Sequence, residues 1–262
     1  SKITLYSLSM IIVICLVMSL MLHFSGGIGP WQMHVSNAMD NIIAAAIILI
    51  FLDAIMMLNN ENRKKRDERR SIIRLNMIIQ PVADMYIVRK NMVITPAEKT
   101  VRKFQINADF TVKDMKDMYG QSDLISDVGR SKIEMYAYYQ SKLMDGMTHL
   151  VESVDFSFYQ NLCDAAMKYI NATMYGASAL EALISFQNTM AGTKSMKSVV
   201  ISGIKDEPEN GNFLNANPTM KNVYLVHQMI SEQEAALEEY ISAMKVIMSE
   251  EPKEKNKKDY RE

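Results

Sequence analysis

Side chains that could bind a metal ion or act as a nucleophile are few and scattered in this sequence. It has four histidines and two cysteines. Cys15 lies in an apolar run far from Cys163, so no disulfide is expected. No histidine has a Cys, Asp or Glu at the spacing of a zinc site. The sequence therefore predicts neither a metal nor a cofactor. The histidines are His23, His34, His149 and His227.

Carboxylates and glycine-rich loops also lack a recognisable catalytic pattern. The aspartates between positions 109 and 127 have no central glycine and no alternating ligands, which a calcium loop requires. The phosphate-binding patterns G-x-x-x-x-G-K-[ST] and G-x-G-x-x-G do not occur. His149 or His227 could pair with Glu152 or Glu232 in the fold, but exposed helix faces explain these residues better. We therefore expect no enzyme and no catalytic residues.

Long apolar stretches are the elements around which the chain is organised. Residues 41–60 read NIIAAAIILIFLDAIMMLNN, and a helix needs about 20 mainly apolar residues to cross a hydrocarbon core of about 30 Å. A second run covers residues 3–24. We interpret it as a retained span rather than a cleaved signal peptide, because it is long and no small-residue cleavage site follows it. Residues 1–60 thus predict a two-helix transmembrane hairpin.

The charges that flank the spans predict their orientation. Residues 25–40 contain no Lys or Arg, whereas basic residues follow the second span. Since Lys and Arg favour the cytoplasmic side, both termini should be cytoplasmic, in a bacterial-type inner membrane. The net charge of −1 gives no reason to expect nucleic acid as a partner. Membrane lipid is the expected partner of the basic residues, and the predicted headgroup-binding residues are Arg63, Lys64, Lys65, Arg66, Arg69 and Arg70.

The second span contains small residues and one carboxylate. Ala44, Ala45 and Ala46 could let helix backbones approach closely, either against the first span or against another copy of the chain. Asp53 is a charged residue inside the span. It either lines a pore or contacts a partner, or it reaches the cytoplasmic headgroups and the basic residues nearby. The sequence leaves these alternatives open.

The rest of the chain predicts a cytosolic domain of several helices. A basic juxtamembrane helix is expected over residues 61–94 and a helical domain over residues 95–192. Thr95, Pro96 and Glu98 form a helix-start pattern, which predicts a helix from Pro96. Further helices are predicted at 132–151, 156–175 and 179–191, with Gly176 ending the second of these. A long loop with one short strand within 194–204 is expected over residues 193–217.

A long C-terminal helix is predicted over residues 218–250, followed by a disordered tail at 251–262. Apolar residues recur in this helix at heptad spacing, with Gln233 as one polar exception. The pattern fits either pairing with a partner helix or packing against the protein's own helices. The candidate face contains Val223, Val226, Ile230, Leu237, Tyr240, Met244 and Ile247.

The overall layout resembles that of the small two-span effectors of bacterial anti-phage systems. Two-span chemoreceptors and sensor kinases share the topology, but they require a large outer domain, for which residues 25–40 leave no room. The resemblance implies a non-enzymatic membrane effector that binds a cytosolic protein partner and perturbs the membrane, with a homo-oligomer as a further expectation. A passive anchor or scaffold subunit of an envelope or secretion complex is the alternative.

Overall fold

The protein is described by a computed structural model that covers residue 10 and residues 12–18, 20–21, 29–99, 105–106, 109–122, 124, 127, 129–206 and 218–250. These residues are mostly helical, as the all-α prediction requires. The chain divides into two compact units, Ser1–Asp67 and Glu68–Glu262. The predicted tail at 251–262 lies outside the described residues.

The longest helix, α1, extends over Pro30–Val93 and continues through Pro81. It begins earlier than predicted, since residues 30–40 are helical instead of connecting two spans. A proline suits the first position of a helix because its missing N–H has no partner there in any case. In the first apolar run, residues 10, 12–18 and 20–21 are helical, and the other residues of that run lie outside the described part of the chain.

The described residues of the second unit form four further α-helices, one 3-10 helix and two short strands. Strands β1 and β2 pair antiparallel, with Met190 opposite Ser195, and Gly192 in the turn between them has a φ of 61°. The elements are a 3-10 helix Val112–Asp117, α2 Lys132–Ser153, α3 Gln160–Phe186, β1 Met190–Ala191, β2 Lys194–Ser195, α4 Met196–Lys205 and α5 Pro218–Ser249.

Residues 68–93 of α1 form an antiparallel four-helix bundle with α2, α3 and α5. Along α1 and α5, Tyr86 bonds to Gln233 and Asn76 to Tyr240, so the two helices run in opposite directions. The rings of Tyr86 and Tyr136 lie 5.8 Å apart, which places α2 beside α1. Thr173 bonds to Gln233 and Lys168 to Glu239, so α3 is antiparallel to α5.

The two ends of the bundle are closed by different parts of the chain. At the Val93 end, the Tyr119 hydroxyl, just after the 3-10 helix, donates to the carbonyl of Leu183 in α3. Lys197 of α4 donates to the carbonyl of Tyr119. At the opposite end, which we call the Glu68 end, residues 68–69 contact residues 158–159 and the last turn of α5.

The helix predicted to begin at Pro96 is absent, and that prediction is wrong for residues 96–99. These residues form a turn in which the Lys99 N–H donates to the Pro96 carbonyl. The Ala97 N–H donates to the Asp117 carboxylate, and Lys116 pairs with Glu98. Contacts with the 3-10 helix thus replace the hydrogen bonds that a helix start would have made.

Gly176 does not end a helix, and two predicted helices are one continuous helix, α3. Gly176 is buried against α5, where an added Cβ would lie 2.7 Å from the Met229 Cβ. The glycine therefore allows a close approach of two helices. The loop predicted over residues 193–217 is found only in part. A short strand is present within 194–204, as β2, but Met196–Lys205 form the helix α4, and residues 207–217 lie outside the described residues.

The contact at Gly176 gives a test of the α3–α5 packing. Gly176→Ala should lower the free energy of unfolding by about 1–3 kcal/mol, the usual cost of overpacking, although alanine is the better helix former. The change would be measured by thermal unfolding of the full chain in detergent micelles, followed by circular dichroism.

The matched control removes the atoms that cause the clash. In a Met229→Gly background, which also removes the Cβ, Gly176→Ala should become neutral or stabilising, since alanine gains about 1 kcal/mol over glycine within a helix. Equal losses in both backgrounds would contradict the proposed contact between the two positions.

Candidate functional site

One face of the apolar part of α1 is covered although the rest of that stretch is exposed. Met39 and Ala46 are buried, and Ile43, Ile50 and Asp53 are half-buried. These positions recur at steps of four and three residues, so they lie on one side of the helix. Another segment of the chain therefore covers this face, which we call the covered stripe.

The apolar residues outside the covered stripe remain exposed. Phe51 and Leu58, for example, are 69% and 61% exposed. A continuous exposed apolar surface is typical of membrane or protein contact. Among the described residues, one helix is long and apolar enough to cross a membrane, and it lies within Asn37–Val93.

The structure separates the residues predicted to act in the span. Ala46 is buried in the covered stripe, whereas Ala44 and Ala45 are exposed. Asp53 lies two turns beyond Ala46 on the same stripe. Its carboxylate is therefore on the covered side of the helix.

The basic residues have different surroundings. Arg63 pairs with Asp67 at 3.9 Å, and both side chains are exposed. The Arg69 guanidinium instead donates to the backbone carbonyls of Ile247 and Met248, at 2.8 and 3.3 Å. It thus neutralises the negative end of α5. Lys64, Arg66 and Arg70 are exposed, and Lys65 is half-buried.

Glu68 makes the complementary contact at the start of α3. Its carboxylate accepts hydrogen bonds from the N–H groups of Phe158 and Tyr159, both at 3.1 Å. An acidic group is favourable at a helix N-terminus, as a basic group is at a C-terminus. Two consecutive residues of α1, Glu68 and Arg69, therefore stabilise the ends of two other helices.

The predicted partner face of α5 is occupied by the protein itself. Its residues are 0–3% exposed and form part of the core of the second unit. The face is therefore not available to a partner helix, and of the two alternatives the packing against the protein's own helices is the one found. The residues concerned are Val223, Val226, Ile230, Leu237, Tyr240, Met244 and Ile247.

Gln233, the polar exception in this heptad pattern, lies at the centre of the bundle. Its Oε1 accepts hydrogen bonds from the hydroxyls of Tyr86 at 2.9 Å and Tyr136 at 2.7 Å. Its Nε2 donates to Thr173 Oγ1 at 2.7 Å, and that hydroxyl donates to the Tyr169 carbonyl. One amide therefore joins residues from all four helices of the bundle.

Two buried ion pairs lie toward the Val93 end. Lys90 pairs with Glu234 of α5, and both side chains are almost fully buried. Burial lowers the pKa of Lys90 to about 7. Arg89 Nη2 lies 2.9 Å from Asp127 Oδ1, and Ser122 donates to the other carboxylate oxygen at 2.6 Å. These pairs attach the end of α1 to α5 and to the segment that precedes α2.

The chemistry available in this core is limited. Burial raises the pKa values of Tyr86, Tyr136 and Tyr169, so their phenols stay neutral at physiological pH. In the part of the chain that the structure describes, no three His, Cys, Asp or Glu side chains are grouped as a metal site. Nε2 of His227 lies 3.2 Å from the Phe110 carbonyl, and Nδ1 of His149 lies 3.3 Å from Ser153 Oγ.

The outer surface of α3 and α5 carries an open groove of about 650 Å³. Its floor contains Ala172 and Ala236, and Tyr175 lies at its side. Lys168, which also lines it, is paired with Glu239 at 2.6 Å.

Comparison of the chain with protein-family models, with curated proteins and with solved structures finds no match. The function proposed for it therefore rests on its own residues.

Sequence reasoning missed the ion pairs and the two helix-end contacts. Lys90 was recognisable, because it continues the apolar steps of Ile79, Ala83 and Tyr86 toward Val93. A charged residue in such a series signals a buried partner. Glu68 and Arg69 gave no such signal within the basic run.

The hydrogen bonds of Gln233 give a test of the core. Gln233→Leu should destabilise the bundle by about 1–3 kcal/mol for each buried hydroxyl left without its partner. Urea unfolding of the full chain in micelles would measure the loss. Gln228→Leu, on the exposed face of the same helix, is the control and should change stability by less than about 0.5 kcal/mol. Equal stability of the two variants would contradict the central role of Gln233.

The Lys90–Glu234 pair predicts a pH dependence. Glu234→Gln should cost about 3–5 kcal/mol at a pH low enough for Lys90 to be charged in both folded proteins, because it leaves a buried ammonium without its carboxylate. The loss should shrink as the pH rises towards about 7, the pKa of Lys90 with Glu234 present, because without the carboxylate Lys90 releases its proton at a lower pH. Over this range the folded variant binds fewer protons than the folded wild-type chain, so the free energy of unfolding of the variant increases more steeply with pH.

Thermal unfolding across this pH range would check the expectation, with the exposed Glu232→Gln as control. A Glu234→Gln variant whose deficit stays constant with pH would show that Lys90 is not charged and buried in the folded protein.

Proposed function

We propose that the chain is a non-enzymatic effector of a bacterial-type inner membrane, held there by a two-span hairpin with both termini cytoplasmic. The covered stripe of α1 carries this proposal. An apolar helix that is exposed on most of its surface and covered along one stripe is what a membrane helix packed against a second span would show. The helical residues 12–18 of the first apolar run supply that second span.

The four-helix bundle is proposed to bind a cytosolic protein partner. Its core is filled by its own helices, so the partner would contact an outer face. The outer face of α3 exposes Met174 at 66% and Tyr175 at 59%. Aromatic residues and methionine are enriched in protein interfaces, and Tyr175 lines the open groove.

Membrane perturbation is proposed as the effector activity, and it would require several copies of the chain. Asp53 is the residue of interest, since a carboxylate within the hydrocarbon region costs on the order of 2.5–3.5 kcal/mol unless it meets a partner or water. Its place on the covered stripe directs it toward other helices rather than toward lipid. An assembly of hairpins would then surround Asp53 with water.

Expression in bacteria with a potential-sensitive dye tests this proposal. The wild-type chain should lower the membrane potential as it arrests growth, and Asp53→Leu should abolish both effects because it removes the carboxylate from the assembled spans. Leu52→Val is the control, since Leu52 is 45% exposed and lies outside the covered stripe.

Growth arrest at an unchanged membrane potential would remove the membrane-perturbing activity. The passive anchor or scaffold would then be the better description, with the outer face of α3 as its partner surface. If the Asp53→Leu variant depolarises the membrane as much as the wild-type chain does, only the proposed role of the carboxylate is overturned.

A further inference from the structure

The Glu68 end of the bundle carries a group of exposed apolar side chains that the fold does not use. Phe158 is 40% exposed, and Val246 and Met248 are each 61% exposed. The Phe158 N–H bonds to Glu68, and the Met248 carbonyl accepts from Arg69. Phe158 and Met248 therefore lie beside the first two residues of the second unit, and Val246 lies two positions before Met248 in the last turns of α5.

This end is connected to the apolar stretch by a short piece of chain. Glu68 follows Asn60 by eight positions, and eight residues can span at most about 26–29 Å. The headgroup layer on each side of a bilayer is about 5–7 Å thick. A connection of this length allows the side chains at the Glu68 end to reach this layer.

The charge of the linking segment favours an anionic surface. Of its three acidic residues, Glu61 is exposed, whereas Asp67 pairs with Arg63 and Glu68 accepts from the N–H groups of Phe158 and Tyr159. Arg66 and Arg70 point into solvent beside them. Basic residues near a membrane gain about 1 kcal/mol each from anionic lipids. Apolar insertion combined with basic attraction is the usual requirement for stable surface binding.

We propose that the Glu68 end is a lipid-docking surface, in which Phe158, Val246 and Met248 enter the headgroup region of an anionic membrane. This inference rests on the membrane insertion proposed above. It adds that the bundle itself binds the bilayer. The docked surface includes the two helix ends that Glu68 and Arg69 stabilise, so docking and the integrity of the bundle involve the same residues.

Tryptophan quenching by brominated lipid tests the docking. The chain has one tryptophan, so Trp31→Phe gives a background without fluorescence. Phe158→Trp in this background, reconstituted into vesicles of anionic and neutral lipid brominated near the headgroups, should lose most of its emission relative to unbrominated vesicles. Met248→Trp, as a second reporter, should be quenched as well.

Tyr175→Trp is the matched control. Tyr175 is exposed on α3, and its position lies about 22 Å further along that helix than Gln160, at 1.5 Å per residue. Its emission should be the same in both kinds of vesicle. Val246→Glu together with Met248→Glu should restore the emission of the reporter at position 158, whereas Met174→Glu should not.

The outcomes separate this inference from the proposed function. Flotation and resistance to alkaline extraction establish whether the chain is inserted. An inserted chain in which the tryptophan at position 158 is quenched no more than the one at position 175 overturns the docking alone. A surface covered by protein would give this result. A chain that alkali releases from the vesicles overturns the insertion and the docking together.

Discussion

The amide of Gln233 is the interaction on which the arrangement of the bundle depends. It accepts from two tyrosine hydroxyls and donates to Thr173, and these partners come from the other three helices. Apolar side chains tolerate a shifted register, but a buried amide does not, because each displaced hydrogen bond leaves a polar group without water or partner. A single polar residue in the core thus specifies one alignment of four helices, while Gly176 sets how closely α3 approaches α5.

The sequence was sufficient to predict the position of a helix where local signals determine it. The helix after Pro218 and the helix α2 lie close to their predicted positions, because a proline or a serine cap and an apolar period mark them. Helix starts and ends were predicted wrongly where contacts with distant residues were stronger than the local signals. Thr95 and Pro96 could have started a helix, but Asp117 takes the nearby N–H. Gly176 could have ended one, but it is buried in a helix contact.

The features of the candidate site also divide into those that were recognisable from the sequence and those that were not. The apolar helix and the basic run were recognisable from composition, and so was the heptad of α5, although its apolar face belongs to the protein's own core. The ion pairs were not, since Lys90 and Glu234 are separated by 144 positions and Arg89 and Asp127 by 38. Arg69 appeared to be one more headgroup ligand, and the carbonyl groups that it binds are 178 and 179 positions away. Such partners become visible only when the helices are assembled.

The long separation of these partners has a consequence for synthesis. α1 leaves the ribosome long before α5, so Lys90 and Arg69 lack the groups that they bind until α5 has been synthesised. At about 5–20 residues per second, the 144 positions between Lys90 and Glu234 take roughly 7–30 s to translate. During this interval the charges of α1 stay hydrated, and the nascent chain cannot close its bundle. A chain truncated before α5 would therefore carry an apolar helix but no folded domain, and it would be a natural substrate for chaperones or proteases.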